Sequence, residues 1–251
     1  MNAVVVIPAR YASTRLPGKL ILPEVKTVTG KYIIEHVYQN VKQAKRIHKV
    51  IVATDNQLIY DIVKGFGGAV EMTSVTHTSG TDRIAEVTGR LDADVIVNVQ
   101  GDEPEVNANM IDQVIDALAG DKEAVMATLA NRIKDSKELA NSNVVKVVLD
   151  NRGYALYFSR SQIPFVRDDK DPIKVSGLTF LKHLGIYAYR RDFLLKYSKL
   201  PPSPLENAEK LEQLRALSNG YKVKVAITNY TSRGIDTRED LTAFMERYKH
   251  D

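Results

Sequence analysis

Ala3-Val4-Val5-Val6-Ile7 runs directly into Pro8-Ala9-Arg10-Tyr11-Ala12-Ser13-Thr14-Arg15-Leu16-Pro17-Gly18-Lys19, and that junction decides the fold. A short, wholly apolar run closed by turn-forming residues reads as a buried strand. Further runs of strand length lie at Lys49 to Ala53, Ala69 to Met72, Asp94 to Val99 and Ala124 to Ala130. Between them, helical periodicity appears near Tyr32 to Ala44, Asn56 to Phe66, Thr81 to Leu91 and Asn107 to Leu118. Alternation of this kind is the pattern of βαβ units around a parallel sheet. Gly65, Gly67 and Gly68 follow the second helix, where a left-handed cap calls for glycine.

After Leu129 the rhythm changes. Strand-like runs at Val144 to Leu149, Ala155 to Ser159 and Leu184 to Tyr189 lack regular crossover helices, which indicates an antiparallel insertion at about 131–200. Pro201-Pro202-Ser203-Pro204 then breaks the chain before a helix from about Leu205 to Ser218, a strand at Val223 to Thr228 and a last helix from about Thr237. The expected fold class is therefore α/β, a mostly parallel central sheet with flanking helices, in a single domain over 1–251 that carries the insertion.

Composition excludes several classes. With 251 residues, 44% hydrophobic and 26% charged, the chain suits a folded α/β domain. It has no cysteine, which removes disulfides, thiolate nucleophiles and Cys-based zinc sites together. Thirty-five Lys plus Arg against 31 Asp plus Glu leave +4, spread along the chain and without Trp or a sustained basic run, so no nucleic-acid partner is expected. The N-terminal apolar run is too short for a signal peptide or a membrane span, and the reading is a cytoplasmic protein with no membrane partner.

Ligands of parallel sheets bind beyond the carboxyl ends of the strands. After the first strand, Arg10, Arg15 and Lys19 fall within a loop of small and turn-forming residues, a composition able to wrap a triphosphate. The loop is not a P-loop, because Ser13 and Leu20 stand where that motif needs Gly and Ser or Thr. It is not a dinucleotide fingerprint either, since Ala9, Arg10 and Tyr11 replace the glycines. After the fourth strand comes Gln100-Gly101-Asp102-Glu103-Pro104, with Asp102 beside a glycine that allows close approach of a ligand. Asp102 is a candidate metal ligand, and Mg²⁺ held by one or two carboxylates plus phosphates would need a second acid. Asp236, in Gly234-Ile235-Asp236-Thr237, is either that acid or an ordinary helix cap in Asp236-Thr237-Arg238-Glu239.

Seven blocks resemble one family throughout the chain. They are the loop Ile7 to Lys19, Val52-Ala53-Thr54-Asp55, Thr78-Ser79-Gly80-Thr81-Asp82-Arg83, Asn98 to Pro104, Tyr154 to Arg160, His183-Leu184-Gly185-Ile186-Tyr187 and Leu211-Glu212-Gln213-Leu214-Arg215. Together and in this order they are similar to the 3-deoxy-manno-octulosonate (KDO) cytidylyltransferases. The resemblance implies transfer from CTP to an acidic sugar in the cytoplasm, feeding lipopolysaccharide assembly, by a homodimer formed through the antiparallel insertion. It implies that Arg10, Arg15 and Lys19 hold the triphosphate, with Lys19 and Asp102 catalytic. Ala9, Ser79, Thr81, Arg83 and Gln100 would line the nucleotide pocket, and Asp102 and Asp236 would carry Mg²⁺. Arg160, His183, Tyr187, Glu212 and Gln213 would bind the sugar. Read without the resemblance, Arg160 could also be a surface ion pair, whereas a histidine such as His183 is more often a hydrogen-bonded core residue and a glutamate such as Glu212 more often a solvated helix residue.

The chain departs from the family pattern at Leu20 and Tyr32, where Pro is usual, and in the longer connection Pro23 to Thr29. Pro164 to Lys170 is similar to relatives that activate 8-amino-KDO. The alternatives are accordingly another acidic sugar or a catalytically silent nucleotide-binding protein.

Overall fold

The computed structural model describes residues 1–11, 16–77, 79–167, 173, 175 and 177–248. The chain divides into two compact units, Met1–Asp112 with Thr231–Asp251, and Gln113–Tyr230.

In the first unit, β1 (Ala3–Ala9), β2 (Lys49–Thr54), β3 (Val70–Met72) and β4 (Val95–Asn98) run parallel in the order β3-β2-β1-β4. Every residue of β1 is buried, as expected of a strand covered on both faces. Helices α2 (Ile33–Val41), α3 (Gln57–Gly65) and α4 (Gly80–Thr88) supply the apolar cover through Ile34, Val37, Ile59, Val63, Ile84 and Val87, all without exposed surface. Each such side chain contributes about 1.5–3 kcal/mol of burial. Behind α3, Gly67 takes a left-handed φ of 79°, and a Cβ at Gly68 would lie 2.6 Å from the Phe66 ring. The two glycines let the chain turn back into β3.

The connection Pro23 to Thr29 is a helix, α1 (Pro23–Thr29), opened by Pro at its first position and closed by Gly30 at φ 78°. It follows a 3₁₀ turn at Lys19–Ile21, whose buried residues include Lys19. The C-terminal helix α10 (Arg238–Arg247) completes this unit, with Leu241 and Phe244 buried.

Helix α5 (Ala108–Ala119) carries the chain from the first unit into the second. In the second unit, β5 (Met126–Arg132) pairs antiparallel with β8 (Leu181–Arg190) and parallel with β9 (Val223–Ile227). Strands β6 (Lys146–Leu149) and β7 (Ala155–Ser159) form an antiparallel pair, and β6 also runs antiparallel to β8. The fold class is α/β with mixed strand pairing and flanking helices. Two short helices, α6 (Ser136–Ala140) and α7 (Arg191–Tyr197), fill the connections.

The helix expected from Leu205 to Ser218 is two helices, α8 (Pro204–Glu209) and α9 (Gln213–Ser218). Lys210 sits between them in the left-handed region at φ 54°, which ends α8. Ser203 and Glu206 form a reciprocal capping box at the start of α8. A two-point pair from Arg215 to Glu206, at 2.8 and 2.6 Å, ties α9 back to α8.

Candidate active site

In the first unit, the Lys19 ammonium is held by three oxygens: Asp102 Oδ2 at 2.6 Å, Ile235 O at 2.7 Å and Asp236 Oδ1 at 2.9 Å. Loops that follow β1 and β4 and the chain before α10 thus converge on one point. Burial works against the charge on Lys19, but Asp102 and Asp236 outweigh it, and the lysine pKa is raised. Glu103 is pushed up to about 7, mainly by burial, with the Asp102 and Asp236 charges acting in the same direction. A Cβ at Gly101 would meet the Pro8 carbonyl oxygen at 2.9 Å. Glycine is therefore needed there for the approach of the β1 backbone, and this is how Asp102 is brought to Lys19.

Asp236 is not the helix cap. Thr237 caps α10 by accepting from Asp240 N, while the Asp240 carboxylate accepts from the Thr237 and Asp236 amides. That leaves the Asp236 carboxylate for Lys19. Among the described residues no three His, Cys, Asp or Glu side chains gather as a metal cluster. Two carboxylates gripping a single ammonium nonetheless suit Mg²⁺, whose remaining ligands are ordinarily waters and substrate phosphates.

Arg10 gives one Nη to the His77 carbonyl at 2.7 Å, and its buried Nε has no partner among the described residues. Arg15, with Ala12 to Thr14, and Thr78 lie outside the described residues. Ser79 caps α4 by accepting from Asp82 N at 3.0 Å, and Thr81 is buried in its first turn. Gln100 is half-buried, with Nε2 3.4 Å from Asn98 Oδ1, and Ala9 is fully buried at the end of β1. Arg83 has no exposed surface. It donates to Asp55 Oδ2 at 2.6 Å and to the Thr73 hydroxyl, so it holds the ends of β2 and β3 together.

The residues expected to meet the sugar lie in the second unit. Arg160 Nε donates to Glu209 O at 2.7 Å and Nη1 to Ser142 O at 3.2 Å. The Glu209 carboxylate accepts from Arg160 N at 2.9 Å and Ser159 Oγ at 2.6 Å, while buried Lys146 donates to the Arg160 carbonyl at 2.5 Å. The backbone and the near side of the guanidinium are thereby fixed, and among the described residues Arg160 makes no ion pair. The His183 ring packs 5.1 Å from Phe158 and 5.3 Å from Tyr187, and burial lowers its pKa to about 3. Gln213 is buried, and its Nε2 finds no partner among the described residues. Glu212 is exposed, and its carbonyl accepts from Tyr197 at 2.6 Å.

Glu103, Glu209, Lys146 and Thr128 escaped the sequence reading. Lys146 alone left a signal there, as a charge inside the apolar run Val144 to Leu149.

A parallel α/β unit with a carboxylate pair and basic groups past its strand ends suits a nucleotidyltransferase, and the family model described as cytidylyltransferase, which matches residues 4–225, puts the chain in that class. The chain is 50% identical to the 3-deoxy-manno-octulosonate cytidylyltransferases of Geobacter metallireducens, over 98% of both chains, and of Geobacter sulfurreducens, over 99% of this chain and all of the relative. It matches the structure of a CMP:2-keto-3-deoxy-manno-octonic acid synthetase complexed with CTP, with a TM-score of 0.91, 41% identity and coverage of 100% and 99%. The chain belongs to the 3-deoxy-manno-octulosonate cytidylyltransferase family.

Proposed function

We propose that this chain joins CTP and KDO to give CMP-KDO and pyrophosphate, supplying an activated sugar for lipopolysaccharide. The anomeric hydroxyl of the sugar attacks the α-phosphorus, its proton is lost, and the bond to the β-phosphate oxygen breaks. The convergence of Asp102 and Asp236 on Lys19 carries this reading, because it places two acids and a cation together beyond the strand ends.

Asp102 and Asp236 are the residues to hold Mg²⁺, which would supply charge stabilisation at the α-phosphate. Lys19, Arg10 and Arg15 offset the charge of the departing pyrophosphate. The buried Nε of Arg10, without a partner among the described residues, supports a place for it on the triphosphate. Ala9, Ser79, Thr81 and Gln100 line the nucleotide pocket, and Arg83 supports that pocket from beneath through Asp55 and Thr73.

Arg160 reads the sugar carboxylate through the part of its guanidinium that Glu209 and Ser142 leave over. Gln213, whose buried Nε2 has no partner among the described residues, donates to a sugar hydroxyl, and Tyr187 and Glu212 complete the set. Leu156 and Phe165, 61% and 82% exposed, support a homodimer formed through the second unit. Among the described residues no helix is long and apolar enough to cross a membrane, and we place the enzyme in the cytoplasm.

Pyrophosphate release measured across CTP and UTP with KDO, 8-amino-KDO and sialic acid tests this reading. CTP with KDO should give the highest kcat/KM. Preference for 8-amino-KDO would move the assignment to that sugar, and silence with every pair would leave a nucleotide-binding protein.

A further inference from the structure

Strands β5 and β8 fall out of register between two of the sugar residues. Thr128 faces Tyr187 and Leu129 faces Leu184, so Gly185 and Ile186 are extra residues on β8. A bulge of this kind takes backbone carbonyls out of the ladder and re-aims neighbouring side chains. Here the buried hydroxyl of Thr128 fills the gap, 2.8 Å from Ile186 O and 3.0 Å from Leu184 O. The same oxygen lies 3.0 Å from Nε2 of His183.

That arrangement fixes a proton. A threonine hydroxyl has one hydrogen, and a carbonyl only accepts. With two carbonyls competing for the Thr128 hydrogen, an unprotonated Nε2 would be a third acceptor around a single donor. Nε2 must instead carry hydrogen and donate to Oγ1, which leaves Nδ1 as the acceptor of the ring.

We infer that Thr128 is a positioning residue that locks His183 in its Nε2–H tautomer, so that Nδ1 accepts a hydrogen bond from a sugar hydroxyl. The inference rests on the proposed place of His183 in the sugar site and adds what it does there. Burial keeps the ring neutral. His183 therefore brings no positive charge to the sugar carboxylate, and Arg160 is left as the carboxylate reader.

Long-range proton–nitrogen NMR of the whole protein labelled with ¹⁵N-histidine tests the lock, with His183 assigned by loss of its signals in His183→Gln. The wild type should show His183 as Nε2–H at neutral pH. Thr128→Val, which keeps the shape and removes the hydroxyl, should mix the tautomers and raise the sugar KM about tenfold while the CTP KM stays unchanged. Thr128→Ser should restore both. An Nδ1–H ring in the wild type overturns the inference, and this readout does not depend on the Thr128 variants. So does a Thr128→Val protein that retains both tautomer and sugar KM. If His183→Gln itself leaves the sugar KM unmoved, the place of His183 in the sugar site fails, whatever the tautomer proves to be.

Discussion

The ammonium of Lys19 stands 2.6 Å from Oδ2 of Asp102, across 83 residues of sequence. One charge-assisted bond thus joins the loop after β1 to the loop after β4. Lys19 also reaches Asp236 Oδ1 at 2.9 Å, so one cation serves both acids. In Lys19→Met the two acids would lose that cation. Turnover should fall on the order of 10²-fold, and the Tm should drop in the absence of divalent cations. Added Mg²⁺ should raise the variant's Tm more than that of the wild type, because Lys19 would no longer compete with a metal for the two acids. Equal responses to Mg²⁺ in thermal melts would show that the pair does not bind it.

Arg160 is held through Nε and Nη1 by backbone carbonyls, so the pose of the remaining donors is preset. Arg160→Lys keeps the charge but loses the planar fork. The sugar KM should rise by about tenfold or more, with the CTP KM nearly unchanged. Steady-state kinetics with each substrate varied in turn decide it, and a defect in CTP alone would place Arg160 elsewhere.

Arg83, without exposed surface, depends on Asp55 for its charge partner. Removing one member of a buried pair leaves the other uncompensated. Asp55→Ala should therefore cost about 3 kcal/mol in urea denaturation, and it should weaken CTP more than sugar. A variant as stable as the wild type would mean that Arg83 finds another partner.

His36 lies buried between the Thr29 hydroxyl, 2.8 Å from Nε2, and the Phe244 and Tyr248 rings. Burial first, then repulsion from Lys31, lowers its pKa from 6.5 to about 4. An unfolded chain takes up a proton at His36 that the folded one refuses, so the stability it contributes is whole above about pH 6.5 and is lost as pH falls through about 4. His36→Gln should reduce proton uptake on unfolding in that window by up to about one proton. Denaturation midpoints over a pH series measure it, and an unchanged slope would contradict it.

The parallel strands were legible because a strand buried on both faces must be apolar throughout, as β1 is. The division of α8 from α9 was not, since a left-handed Lys210 leaves no compositional mark and Leu205 to Ser218 is apolar at helical spacing. Helix α1 was likewise hidden in a segment that stood out only by its length. Asp102 could be singled out from its place after a strand. Asp236 could not be separated from a cap until Thr237 and Asp240 were seen to do the capping. Thr128 and Glu209 act through contacts 55 and 49 residues away, which no local pattern encodes.

The acid pair meets its most direct test in pyrophosphate release from CTP and KDO by the wild type and by Asp102→Asn, followed over a range of Mg²⁺. The wild type should release pyrophosphate in step with CMP-KDO, while the variant, folded and still able to bind sugar, should lose turnover on the order of 10²-fold or more at ordinary Mg²⁺. Wild-type turnover in Asp102→Asn, with the same Mg²⁺ requirement, would contradict the placement of catalysis at Lys19, Asp102 and Asp236.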